Sequence, residues 1–174
     1  SQVNYNRAAT KIASYDGSVA TLVSAHQSVG VPNPLKMFGT PAQKAKFFPM
    51  LAKGAVSAFA LTEPGVGSDP AQMSTTAIPT DDGEHFLING EKLWCTNGTI
   101  ADLIVVMCQT PPKIVRGREK KQISAFILET KDKDGNWVEG LDIAHRCDFM
   151  GLRGIYNGLL KFKDVKVPRE NILW

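Results

Sequence analysis

Histidine and cysteine are both scarce, at three residues each in a chain of 174. Cys95, Cys108 and Cys147 are odd in number and far apart, which argues against a disulfide framework or a metal knuckle and fits a reducing compartment. His26, His85 and His145 stand in unrelated contexts with no HExxH-type spacing, so no metal site is expected. His26 shares the apolar face of a helical pattern with Leu22 and Val23, where a satisfied structural histidine is the expectation. No Gly-x-Ser-x-Gly elbow occurs, and nothing pairs a nucleophile with a histidine. Charge of one sign is also lacking: the net charge of +3 is too small to argue for nucleic acid. No apolar run approaches the ~20 residues of a membrane span. The opening Ser1-Gln2-Val3-Asn4-Tyr5 lacks the basic-then-apolar layout of a signal peptide.

The hydrophobic share of 43% and the charged share of 21% describe an ordinary globular chain, long enough for one domain plus part of another. Its pattern changes near Gly54. Before that point Val19, Leu22, Val23 and His26 recur at three- and four-residue spacing, the mark of an amphipathic helix that Asp16 or Ser18 can cap. Thr40-Pro41-Ala42-Gln43 reads as a capped helix start, with proline at the first helical position and Gln in the capping-box place. Pro49 is expected to break this helix, leaving residues 50–53 as a short extra turn. After Gly54 short strands are expected at 57–62, 75–78, 86–89, 92–95, 103–109, 123–128, 140–145 and 159–165. The turn dipeptides Asp82-Gly83, Asn89-Gly90 and Asp134-Gly135 punctuate them. The expected class is therefore α+β, with N-terminal helices in residues 1–54 and an antiparallel β sandwich or barrel in residues 55–174. The absence of βαβ alternation argues against a Rossmann fold.

Two segments carry chemistry. In Phe59-Ala60-Leu61-Thr62-Glu63-Pro64-Gly65-Val66-Gly67-Ser68-Asp69, an apolar strand runs into a turn at Pro64 and then two glycines. Glycine supplies positive φ and lets a ligand lie on bare backbone, while proline fixes the exit angle of the chain. Thr62, Ser68 and the exposed amides offer hydrogen bonds to a polar group resting there. It is not a phosphate loop: no lysine follows the glycines, no helix opens behind them, and Glu63 and Asp69 oppose a naked phosphate. A plain glycine-rich hairpin accounts for the glycines but not for the order of Thr, Glu, Pro, Gly, Ser and Asp.

The second segment, Asn89-Gly90-Glu91-Lys92-Leu93-Trp94-Cys95-Thr96-Asn97-Gly98, reads as a hairpin turn followed by a strand. On a strand Trp94 and Thr96 share one face and Cys95 takes the other. A flat indole beside a short hydroxyl suits a planar heteroaromatic ligand, although a buried tryptophan in a β core explains Trp94 alone.

These segments resemble the signature of the acyl-CoA dehydrogenase family. Met150-Gly151-Leu152-Arg153-Gly154 and Phe162-Lys163-Asp164-Val165-Lys166-Val167-Pro168 add to the likeness. Ala25-His26-Gln27-Ser28-Val29-Gly30 with Phe38-Gly39-Thr40 is similar to its very-long-chain branch. The likeness covers essentially the whole chain. It implies a fragment: the last helices of an N-terminal domain and a complete middle β domain, with Val167-Pro168-Arg169-Glu170-Asn171 as the linker toward a C-terminal helical bundle.

The resemblance further implies FAD as cofactor and oxidation of a fatty acyl-CoA to the trans-2-enoyl thioester, a step of fatty acid β-oxidation. A carboxylate removes the α-proton while the β-hydrogen leaves as hydride to the flavin. Phe59, Leu61, Thr62, Gly67 and Ser68, with Trp94, Cys95 and Thr96, would line the cofactor site. Thr62 and Thr96 would bond the flavin's polar edge, Trp94 would pack on the ring, and Ser68 would sit where cofactor and thioester meet. The catalytic base is expected in the C-terminal domain, outside this chain, with Glu63 acting as a turn-fixing acceptor. Electron-transfer flavoprotein would be the electron acceptor, and the full-length protein a homodimer or homotetramer, cytoplasmic in a bacterium and mitochondrial in a eukaryote.

Two departures from the family pattern stand out. Cys95 takes the place of a branched apolar residue, and Gly154-Ile155-Tyr156-Asn157 replaces a serine-containing segment that contacts CoA in relatives, so no substrate contact is carried over to it. The basic run Arg116-Gly117-Arg118-Glu119-Lys120-Lys121 reads as a solvated loop, with the phosphates of a CoA nucleotide as the alternative. The competing functions are an acyl-CoA oxidase, a related flavin monooxygenase, and a non-catalytic β module that binds CoA or a protein.

Overall fold

A computed structural model describes residues 2–173; Ser1 and Trp174 lie outside the described residues. Its helical part comprises α1 (Gln2–Ala13), α2 (Gly17–Ser24), a π-helical turn (Ala25–Val29), α3 (Pro32–Phe38) and α4 (Pro41–Ala52). Asp16 caps α2 by accepting from Ser18 N and Val19 N at 2.7 and 3.0 Å. Thr40 and Gln43 form the reciprocal capping box of α4. Pro49 does not end α4, contrary to expectation. Proline's φ is helical, and so late in the helix it removes a single internal hydrogen bond. Phe47, buried, and Met50 and Leu51, packed against the same core, hold the last turn in place.

The β part comprises β1 (Ser57–Ala60), β2 (Thr76–Pro79), β3 (His85–Lys92), β4 (Leu103–Val115), β5 (Arg118–Glu129), β6 (Leu141–Arg146) and β7 (Gly158–Pro168). They form one seven-stranded sheet in the order β1-β4-β2-β3-β7-β6, with β5 on the free side of β4, curled into a half-barrel. The α+β division stands, but the sheet is mixed. β1 pairs β4 in parallel from Ser57↔Leu103 to Ala60↔Val106, and β2 meets β4 in parallel at Thr76↔Gln109. The chain between β1 and β4 itself contains β2 and β3, so no crossover helix is needed.

Asn89-Gly90 is not a hairpin turn. β3 runs straight through it, and the register shift between Ile88 and Gly90 is a bulge of β7, where Lys163 and Asp164 stand opposite the single Asn89 and Asp164 takes φ +53°. Gly90 has φ +142°, and a Cβ there would press on Thr75, so glycine is required. Consequently β3 ends at Lys92, and residues 93–95 form no strand.

Strand alternation splits the apolar core in two. Ile104, Val106 and Cys108 of β4 face into the curl with Ala58, Ala60, Ile88, Phe126, Leu128, Leu160 and Val165. Leu103 and Val105 face the helices and pack with Val31, Leu35, Phe47 and Ile127. Polar ties fix helices to sheet: Val31 N donates to Ser57 Oγ (3.2 Å), and Gln43 Nε2 donates to the carbonyls of Glu170 and Ile172 (2.7 and 2.6 Å). His26 is the satisfied structural histidine expected, its Nδ1 accepting from Ser57 N at 3.1 Å. That bond leaves the ring proton on Nε2.

Candidate functional site

The Thr62 turn is closed on itself. Glu63 N donates to Val66 O (3.0 Å) and Val66 N to Glu63 O (3.1 Å), with Pro64 and Gly65 exposed at the tip. Neither Gly65 nor Gly67 has positive φ, contrary to the expectation from their spacing. Their contribution is open backbone: a Cβ at either would meet nothing within 4 Å. Gly67 and Ser68 are exposed, and Asp69 turns away to cap a short 3-10 turn through Ala71 N at 3.2 Å.

Beneath this turn lies a buried ion pair that sequence reading passed over. Lys92 Nζ stands 2.8 Å from Glu63 Oε1 and 3.1 Å from the Leu61 carbonyl, and both charged side chains are shut off from solvent. Glu63 also accepts from Ser74 N and Oγ (both 2.7 Å) and from Thr75 N (3.0 Å). Burial opposes its ionisation, but Lys92, Thr75 and Ser74 outweigh burial and bring its pKa down to about 2. Glu63 is thus a fully engaged carboxylate that organises the turn, and it is unsuited to abstracting a proton. The signal was present in the sequence: Phe86, Ile88 and Lys92 share the inward face of β3, and an inward cation requires a partner.

The second segment meets the first directly, because Leu93 N donates to Thr62 O at 2.8 Å. Trp94 leaves the strand with φ +55°, a left-handed conformation rare for a bulky residue, and the residue is 60% exposed. The shared strand face of Trp94 and Thr96 is therefore corrected: both belong to the loop after β3, which Asn157 and Gly158 hold. Asn157 Nδ2 donates to Trp94 O (3.2 Å) and Thr96 Oγ1 (2.8 Å), and Cys95 N donates to Gly158 O (3.1 Å). The reading of Trp94 as a core residue fails on its exposure.

Of the eight candidate residues, Thr62, Gly67, Ser68, Trp94 and Thr96 belong to this turn-and-loop surface. Cys95 points the other way, into the core, where its thiol lies 3.5 Å from the Phe59 carbonyl and burial pushes its pKa up to about 12. Phe59 packs into the helix-side core, and Leu61 meets the site through its carbonyl bond to Lys92. Exposed glycine backbone at Gly67, the exposed Trp94 and the partly exposed Thr96 hydroxyl are the groups here with the chemistry to meet a flat, polar-edged ligand, and we name this turn and loop the ledge.

Comparison with known proteins agrees with this architecture. The family model for the acyl-CoA dehydrogenase middle domain matches residues 58–165, and that for the N-terminal domain of the same family matches residues 1–55. The chain belongs to the acyl-CoA dehydrogenase family. It is 47% identical over 173 residues to the probable acyl-CoA dehydrogenase FadE10 of Mycobacterium tuberculosis, covering 99% of this chain and 25% of that protein. It is 38% identical over 175 residues to the mitochondrial very long-chain specific acyl-CoA dehydrogenase of Rattus norvegicus, covering 99% of this chain and 26% of that one. Among solved structures, an acyl-CoA dehydrogenase complexed with FAD from Bacillus anthracis superposes with a TM-score of 0.76 at 35% identity, over 89% of this chain and 24% of that chain. The chain thus spans about a quarter of the length of these relatives. No described helix is long and apolar enough to cross a membrane.

Proposed function

We propose that this chain forms the flavin-facing middle domain, with adjoining helices, of an FAD-dependent acyl-CoA dehydrogenase that oxidises fatty acyl-CoA to trans-2-enoyl-CoA. Residues 1–54 would be the last part of its N-terminal helical domain and residues 55–174 its middle β domain. The observation that carries the reading is the exposed Trp94, held in a left-handed conformation beside the Thr62 turn. A soluble fold has no reason of its own to hold a strained tryptophan out to water; a ring that stacks on it supplies one.

FAD, when bound, supplies the hydride acceptor. Thr62 and Thr96 would then bond its polar edge, Trp94 would cover the ring, Gly67 would let the ligand approach the backbone, and Ser68 would meet the thioester. Phe59, Leu61 and Cys95 would shape the floor from below. The base would lie outside these 174 residues, since Glu63 is committed to Lys92, Ser74 and Thr75. Electron-transfer flavoprotein would take the electrons and the full-length protein would be a homodimer or homotetramer, working in the cytoplasm of a bacterium or the mitochondrion of a eukaryote.

The test is anaerobic addition of a series of acyl-CoA thioesters to the purified full-length protein. Bleaching of the bound flavin's visible absorbance is expected. A protein that carries flavin yet is bleached by no acyl-CoA would contradict the dehydrogenase assignment, and a colourless protein that takes up no added FAD would contradict the cofactor assignment.

A further inference from the structure

Asn157 is 96% buried just before β7, and its side-chain amide reaches both residues flanking Cys95, Trp94 and Thr96. A carbonyl only accepts, so the part of Asn157 that faces Trp94 O must be its NH2 group. The same NH2 group faces Thr96 Oγ1 at 2.8 Å, and the Thr96 hydroxyl must therefore accept from it. Its single proton is turned away from Asn157. Among the described residues that proton has no protein acceptor, and Thr96 is only partly buried.

The Trp94 carbonyl is the other half of the arrangement. Trp94 sits at φ +55°, and the peptide that follows it is pinned twice, by Asn157 Nδ2 on its oxygen and by Gly158 O on the Cys95 amide. Gly158 cannot carry a side chain there, because a Cβ would collide with the His145 carbonyl and the Thr99 methyl. The start of β7 is thus shaped to grip this loop from beneath.

We propose that Asn157 is a positioning residue of the cofactor site: it presents the Thr96 hydroxyl proton to an acceptor on the edge of the bound flavin and holds the Trp94 backbone in its left-handed conformation. The proposal rests on the flavin reading above. It gives the Gly154–Asn157 stretch a role that needs no contact with substrate, since the amide is turned inward to the loop that carries the ligand.

Asn157→Asp tests the polarity argument. A carboxylate at this position accepts from Thr96 instead of donating to it, so the Thr96 proton turns inward and is lost to the flavin. In the full-length protein stripped of cofactor and titrated with FAD, Asn157→Asp should weaken binding about tenfold in the parent. In a Thr96→Val background the loss should be clearly smaller than in the parent, because residues acting through one bond do not add, and what remains is the share carried by the bond to the Trp94 carbonyl. Both single variants should shift the flavin's visible band in the same direction, a signature that a general loosening of the fold does not produce. Thermal unfolding of the apoproteins checks the fold; should Asn157→Asp fold poorly, the smaller uncharged Asn157→Ser replaces it with the same non-additivity expected. Fully additive losses, or parental affinity and spectrum in a folded Asn157 variant, would overturn the proposal while leaving the flavin reading intact. A parent that binds no FAD would overturn both.

Discussion

Lys92 Nζ and Glu63 Oε1 stand 2.8 Å apart with neither side chain open to water, directly under the turn that begins at Thr62. Twenty-nine residues separate the two in sequence, so the pair ties the end of β3 to the loop after β1. Desolvating both charges costs much of what their attraction returns, and the net stabilisation is smaller than the geometry implies. The loss on breaking the pair is another matter.

Lys92→Met should destabilise the fold by about 3–5 kcal/mol, because Glu63 is left buried without its cation. Glu63→Gln with Lys92→Met together should cost less than Lys92→Met alone, since no charge remains buried and the single amide oxygen can still accept from Ser74 N and Oγ, at the loss of the Thr75 bond. The pH dependence follows from the direction of the shift. The folded carboxyl is held at about 2, below its ordinary 4.5, so its stabilisation is fully present above about pH 4.5 and is lost as pH falls toward 2. Urea unfolding between pH 2 and 7 should show this acid limb in the parent and a flatter one in the double variant. An equal limb in both would remove the pair from the account of stability.

Trp94→Gly should relieve backbone strain. A non-glycine residue at φ +55° costs on the order of 1 kcal/mol, and the exposed indole returns little packing in the absence of ligand. The unfolding temperature of the apoprotein should therefore hold or rise, while flavin retention through gel filtration falls. A clear drop in apoprotein stability would show that the indole packs the fold rather than serving a ligand.

Cys95 and Cys108 should be inert toward thiol reagents in the native protein, since burial pushes both pKa values up to about 12. Cys147 is only half-buried and should be alkylated first. Mass spectrometry after brief native alkylation should find the label at Cys147, with all three modified after denaturation. Early labelling of Cys95 would mean that the loop after β3 opens readily.

Much of this fold is legible in local pattern. The change from three-and-four spacing to short alternating runs near Gly54 marks where helices give way to sheet, and the caps at Asp16 and Thr40 are visible as residues before they are seen as hydrogen bonds. What escapes is decided at a distance. Asn89-Gly90 carries a strong hairpin signal, yet pairing of β3 with β7 on both sides of it keeps the dipeptide within the strand, opposite a bulge of β7 at Lys163-Asp164. The parallel pairing of β1 with β4 has no local signature, because it joins strands more than 40 residues apart. Likewise, Trp94 leaves the extended conformation because Asn157 and Gly158 grip its loop, and neither residue could be placed there before β7 was seen beside β3. The motifs named the candidate residues; tertiary contacts decided that Cys95 and Phe59 turn toward the core while Trp94 stays exposed.

On the proposed reading, the Thr62 turn and the Trp94–Thr96 loop form one surface that binds FAD. It is tested most directly by FAD titration of the full-length apoprotein carrying Trp94→Ala, Thr96→Val or, as a control, Ile114→Ala on the exposed β4–β5 hairpin. Both ledge variants should lose affinity, by about tenfold or more for Trp94→Ala, where stacking and backbone geometry are lost together. The hairpin variant should bind as the parent does. Parental affinity in both ledge variants would place the cofactor elsewhere and contradict the account.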